Sequence, residues 1–150
     1  MLSLAIGDLN HDGFLDIYSS YANAFNSPSN IQDRLWMNDG NSNNFFSVIL
    51  EGTMSNINGI GARVELHGRW GQQIREVRSG EGYGIMNSFT QHFGIGTSNS
   101  ISKLVVKWPS GVIDEIINPA INNCLAIIEG DNCINCGDCE DFVFTTNDNG

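Results

Sequence analysis

Between Gly7 and Tyr18 the chain reads GDLNHDGFLDIY, which puts Asp8, Asn10, Asp12 and Asp16 at positions 1, 3, 5 and 9 of a loop, with Gly13 at position 6. Hard oxygen ligands on alternate residues can close around one calcium ion, which takes about six to eight oxygens at about 2.3–2.6 Å. Side-chain oxygens of Asp8, Asn10 and Asp12 converge if the loop curls. The Phe14 carbonyl at position 7 supplies another ligand, and Asp16 a further one. Gly13 permits the sharp turn that a residue with a Cβ resists. Ser19 stands at position 12, where an EF-hand carries a bidentate Glu, so the expected affinity is modest. A solvated acidic turn would need neither the alternation of ligands nor the glycine.

Cysteine is the second chemistry-bearing residue type. Cys133, Cys136 and Cys139 form a C-x-x-C-x-x-C run, and Cys124 lies upstream. The run lacks the further Cys and Pro of a bacterial ferredoxin. A zinc site would need Cys124 to complete a four-thiolate set. Disulfides among these four are the preferred reading, because millimolar extracellular calcium suits a weak loop site and an oxidising compartment favours bridges. Their pairing is not legible in the spacing.

Elsewhere little selects an active site. His11 sits in the loop at a non-ligand position, His67 on the polar side of a strand, and His92 ahead of FGIG; no spacing picks out a triad. The glycines at 80, 82, 84, 94 and 96 lack the Lys-Ser/Thr and helix of a phosphate loop and read as turns and bulges. Of the three tryptophans, Trp108 is in phase with Leu104 and Val106 and reads as core. Trp70, in the Gly68–Gly71 turn, is the best aromatic for stacking on a ligand. The expectation is no enzyme.

The elements that would position these residues are strands throughout. Short runs are punctuated by Gly, Asn and Pro, and helix signals are nearly absent. Leu4-Ala5-Ile6 leads into the loop and Leu15 to Tyr21 leads out, so the loop belongs to a β-hairpin, not a helix pair. Residues 1–52 read as one small blade-like sheet. Residues 53–130 read as an antiparallel β-sandwich or open barrel, with Val64 and Leu66 facing inward and Arg63, Glu65 and His67 outward. Residues 131–150 read as a cysteine-containing linker or tail.

Length and charge bound the function. With 150 residues there is room for one domain, or a small domain and a fragment. The net charge of −10, from 7 basic and 17 acidic residues, argues against nucleic acid and anionic membranes as partners. No apolar run approaches the roughly 20 residues of a membrane span, and no signal peptide is visible. The first residues run straight into a strand, so the chain is expected to be the C-terminal piece of a longer protein, with any targeting signal upstream.

Two resemblances cover about residues 4 to 130. The loop D-x-N-x-D-G-x-x-D at Asp8–Asp16, followed by RLWMNDGNSNNF at Arg34–Phe45, resembles the last FG-GAP or VCBS repeat before a C-terminal module. NGIGARVEL (Asn58–Leu66), REVRSGEGY (Arg75–Tyr83), QHFGIG (Gln91–Gly96) and KWPSGVIDEI (Lys107–Ile116) resemble the ASPIC/UnbV domain. This order is that of the cartilage acidic proteins and many bacterial homologues. It implies a calcium-stabilised, non-enzymatic extracellular or cell-surface module for adhesion, scaffolding or protein interaction, its calcium structural and its partner a protein or a glycan. The alternative is a carbohydrate-binding accessory module of a larger secreted protein or enzyme.

Overall fold

The computed structural model of the chain describes residues 3–24, 27–28, 30–82, 85–132 and 137–139. Every named element in it is a strand: β1 (Ser3–Gly7), β2 (Asp16–Ser20), β3 (Ala22–Ala24), β4 (Ser27–Pro28), β5 (Arg34–Trp36), β6 (Asn44–Glu51), β7 (Arg63–Gly68), β8 (Gly71–Glu76), β9 (Gln91–Gly96), β10 (Lys103–Lys107), β11 (Ile113–Ile117), β12 (Cys124–Ile128) and β13 (Gly137–Asp138). The expected all-β class therefore holds.

Two four-stranded sheets, ordered β11-β10-β7-β8 and β13-β12-β6-β9, face each other across the core, and neither closes into a barrel. Period-two alternation decides what lies between them. β7 sends Val64 and Leu66 inward, β10 Leu104 and Val106, β6 Phe46, Val48 and Leu50, and β9 Phe93 and Ile95; Trp108 and Ile127 complete the layer. Burying each large side chain is worth roughly 1.5–3 kcal/mol, so this layer drives the fold. The opposite face of β7 carries Arg63, Glu65 and His67, as the alternation requires.

Two features depart from the simple antiparallel picture. β12 runs parallel to β6, with Cys124 opposite Ser47 and Ile128 opposite Glu51. A parallel neighbour needs a long crossover, and here the crossover contains the whole of the other sheet. The β6–β9 pair also slips by one residue, Asn44 opposing Gly96 while Phe45 opposes Gly94. This is a bulge in the glycine-containing segment FGIG.

The sandwich closes one side with side chains instead of strand pairing. Gln73 Nε2 donates to Gly94 O at 2.9 Å and Arg75 Nε to His92 O at 3.3 Å, so β8 caps the outer carbonyls of β9. A separate antiparallel sheet, β1-β2-β5, carries the acidic loop between β1 and β2. Its cross-strand row Ile6, Ile17 and Trp36 is exposed.

Candidate functional site

The Asp8–Asp16 loop bridges β1 and β2 of an antiparallel hairpin, with Gly7 opposite Asp16. Asp8 folds its carboxylate back on the loop: Oδ1 accepts from Asp12 N at 3.2 Å and Oδ2 from Gly13 N at 2.8 Å. Asn10 Oδ1 approaches the same Asp12 amide at 3.4 Å, and Asn10 Nδ2 donates to Asp12 Oδ2 at 2.8 Å. Asp12 Oδ1 accepts from Phe14 N at 2.8 Å. Side chains at positions 1, 3 and 5 are thus gathered on the inside of one turn. His11 has φ of 59° and Gly13 of 86°, which give the loop its curl; His11 is exposed.

Asp16 has a role the spacing did not reveal. It is buried, and its carboxylate ties the loop to the far side of the sheet: Oδ2 accepts from Leu9 N and Oδ1 from Asn38 N, both at 2.9 Å. Among the described residues no three His, Cys, Asp or Glu side chains cluster as they would about a bound ion. The donor chemistry still fits a hard cation, since the set is all oxygen and each carboxylate oxygen keeps a second lone pair.

The loop is docked on the sandwich through one ring. A Cβ on Gly13 would lie 1.9 Å from Phe45 Cε1, so only glycine lets the loop backbone rest there. Phe14 packs against the same ring at 6.4 Å between centroids, and Phe45 stacks on His92 at 5.7 Å. Ser47 Oγ lies 3.0 Å from His92 Nδ1 beneath this stack. Burial pushes the His92 imidazole below its ordinary value, with the Asp8 charge acting against that and Arg75 with it. A cleft of about 1310 Å³ opens between the loop, the outer face of β6, β9 and β12, and the end of β8; Asp8, His11, Ser47, Arg75, His92 and Asn123 are among its lining.

Trp70 is not presented to solvent as a flat platform. Its six-membered ring lies over Gly68, where a Cβ would be 2.3 Å from Cη2, and it packs partly buried against the core. Its Nε1 is buried with no hydrogen-bond partner among the described residues.

Cys124 is bonded to Cys139, with Cα atoms 5.4 Å apart, so Cys124 cannot complete a four-thiolate zinc set. Cys133 and Cys136 lie outside the described residues. The bridge spans 15 residues and holds β13 on β12. Replacing both bonded cysteines by serine should cost about 3 kcal/mol, a drop of roughly 6–12 °C in Tm. Thermal melts of parent and variant without reductant measure it, and coincident melts would show that the bridge adds nothing.

Residues 52–133 match the family described as ASPIC and UnbV. The chain belongs to the ASPIC and UnbV family. No curated protein sequence matches it.

The matched ASPIC and UnbV region contains three buried acids that composition alone could not distinguish from surface charge. Glu129 Oε2 accepts from the amides of Thr53, Met54 and Ser55 at 2.7–2.8 Å, while Oε1 accepts from the Ser55 and Ser110 hydroxyls. Burial by itself would raise this acid; the Ser110 and Ser55 hydroxyls and the Ser55 and Met54 amides outweigh it and hold it at about 2. Asp114, fully buried, accepts from Trp108 Nε1 at 2.6 Å and from the amides of Gly130 and Asn132. Glu65 sits under Lys107 and Arg63, each at 2.7 Å, and the Lys107 hydrogen bond leads in holding it below the usual carboxylate range. The segment KWPSGVIDEI therefore supplies Trp108, Ser110 and Asp114 to two of these staples. The only signal available beforehand was an acid next to an apolar run, at IIEG and VIDEI.

Proposed function

We propose that this chain is a non-enzymatic, calcium-binding interaction module of an extracellular or cell-surface protein, in which an FG-GAP/VCBS-type loop braces the ASPIC and UnbV domain. The carrying observation is the gathering of Asp8, Asn10 and Asp12 around one backbone amide, with oxygens at 3.2 and 3.4 Å from Asp12 N. Asp8, Asn10, Asp12, Asp16 and the Phe14 carbonyl would hold the ion. Calcium there supplies counter-charge to three carboxylates. Because Gly13 and Phe14 rest on Phe45, ordering the loop also orders its seat on the sandwich.

Several observations support the remaining parts. The exposed row Ile6, Ile17 and Trp36 is the kind of surface one propeller blade offers the next, which suits a repeat of the FG-GAP/VCBS type and kinship with the cartilage acidic proteins. The Cys124–Cys139 bridge suits an oxidising compartment. No helix among the described residues is long and apolar enough to cross a membrane. The non-enzymatic reading draws on the commitment of the buried acids to structural hydrogen bonds and of the buried Ser47 hydroxyl to His92. The partner is a protein or a glycan.

Calorimetry tests the calcium reading. The parent should bind one calcium with modest affinity, and Asp12→Ala should abolish the heat. Hydrogen exchange should show calcium protecting residues 3–20 more than residues 58–130. Equal heats from parent and variant would remove the assignment.

A further inference from the structure

We infer that the cleft between the Asp8–Asp16 loop and the outer face of β6, β9 and β12 is a binding site for an oligosaccharide. The inference rests on the chain being a binding module, but not on its calcium. Five observations select the ligand. The cleft, at about 1310 Å³, exceeds the roughly 300–1,000 Å³ typical of small-molecule pockets, so its occupant is extended.

Its charges largely cancel. Arg78 pairs with Glu76 at 3.0 Å and lies 3.8 Å from Glu81, so there is no cationic stripe for a nucleic acid or other polyanion. An extended peptide would add itself as a strand to a free edge. The edge of β9 facing the cleft side is already occupied, because His92 O and Gly94 O accept from Arg75 and Gln73.

The remaining polar lining is mixed donor and acceptor. The Asn123 amide and the Thr90 hydroxyl have no partner among the described residues, and Gln91 uses only its Nε2 there, on Phe89 O. Sugar hydroxyls donate and accept at once and match such a rim. Ile49 and Ile74 add apolar patches suited to the C–H faces of sugar rings. Trp70, the aromatic that the sequence favoured for stacking, is folded onto Gly68 outside this cleft.

The test uses the full chain and an NMR-monitored titration with hexasaccharides of glucose, mannose, xylose and N-acetylglucosamine, and with a hyaluronan hexasaccharide as the acidic arm. Each is run with calcium and with chelator. At least one sugar should bind saturably, shifting amides at 74–76, 90–92 and 122–124. The Gln91→Ala, Asn123→Ala double variant should bind about tenfold more weakly, with its melting temperature unchanged. A second pair, Thr90→Ala with Asn123→Ala, guards against misfolding of the first.

Absence of binding across the panel, shifts confined to the Trp70 turn, or unaltered affinity in folded variants would overturn the site. Binding that persists in chelator supports the site whether or not the calcium assignment survives. Cleavage of the bound sugar would support the site and overturn the non-enzymatic reading.

Discussion

Glu129→Ala should lower the unfolding free energy by about 3–5 kcal/mol, the range for breaking a buried, fully bonded charge site. Five donors converge on this carboxylate: the amides of Thr53, Met54 and Ser55 and the hydroxyls of Ser55 and Ser110. They come from the turn after β6 and the turn after β10, which touch through Ser110 N and Ser55 Oγ at 3.2 Å, so one side chain ties together a turn from each of the two sheets. Alanine leaves three amides facing a void. At roughly 2–4 °C per kcal/mol for a chain of this size, Tm should fall by about 6–20 °C.

The pH dependence carries a separate sign. Glu129 stands at about 2 in the fold against 4.5 for the free side chain. A depressed acid stabilises fully above its unfolded value, and the contribution is lost as pH falls through the folded value. The stability gap between parent and Glu129→Ala should therefore be constant at neutral pH and shrink between about pH 4.5 and pH 2. Denaturant titrations at several pH values measure the gap. Parallel curves across that window would mean the acid is not held as described.

Gly13→Ala should detach the acidic loop from the sandwich. The backbone has φ of 86° there, and an added Cβ would fall 1.9 Å from Phe45 Cε1. Left-handed backbone strain on a non-glycine residue costs about 1–3 kcal/mol, and overpacking against a ring about the same again. Phe45 is stacked on His92, so the ring cannot retreat without disturbing the Ser47 contact below. The cost falls on one contact, not on the core between the two sheets. Hydrogen exchange should thus quicken across residues 3–20 and at Phe45, and stay near the parent value in β7 and β10. Calcium affinity, on the proposed reading, should drop about tenfold or more with it. Uniform loss of protection would show that loop and sandwich unfold as one.

Local pattern was enough for the strands and for their inner faces. The alternation at Arg63–His67 and Lys103–Trp108 put Val64, Leu66, Leu104, Val106 and Trp108 into the core, because a strand's side chains alternate whatever it pairs with. The curl of the acidic loop was legible for a similar reason: Asp8, Asn10 and Asp12 are two residues apart and the turn is made by the loop's own Gly13. Four short segments pointed to the ASPIC and UnbV family, and the match over residues 52–133 bears that out.

What the sequence could not decide depends on partners far along the chain. The parallel pairing of β12 with β6 joins residues 77 apart (Ser47 and Cys124), and nothing local in either strand encodes the direction. Spacing places Asp16 in the loop, but the Asn38 amide that bonds its buried carboxylate arrives only because β5 folds beside β2. Glu129 and Asp114 look like any surface acids until turns from Thr53–Ser55 and Gly130–Asn132 close over them. Trp70 reads as an exposed turn aromatic, yet the hairpin of β7 and β8 lays it on Gly68. The cleft beside the loop has no sequence signature, because its walls come from segments whose proximity is made by packing alone. Alternation and spacing act within a few residues; burial of charge and the shape of a cavity are set by which surfaces meet, and only the tertiary structure fixes that.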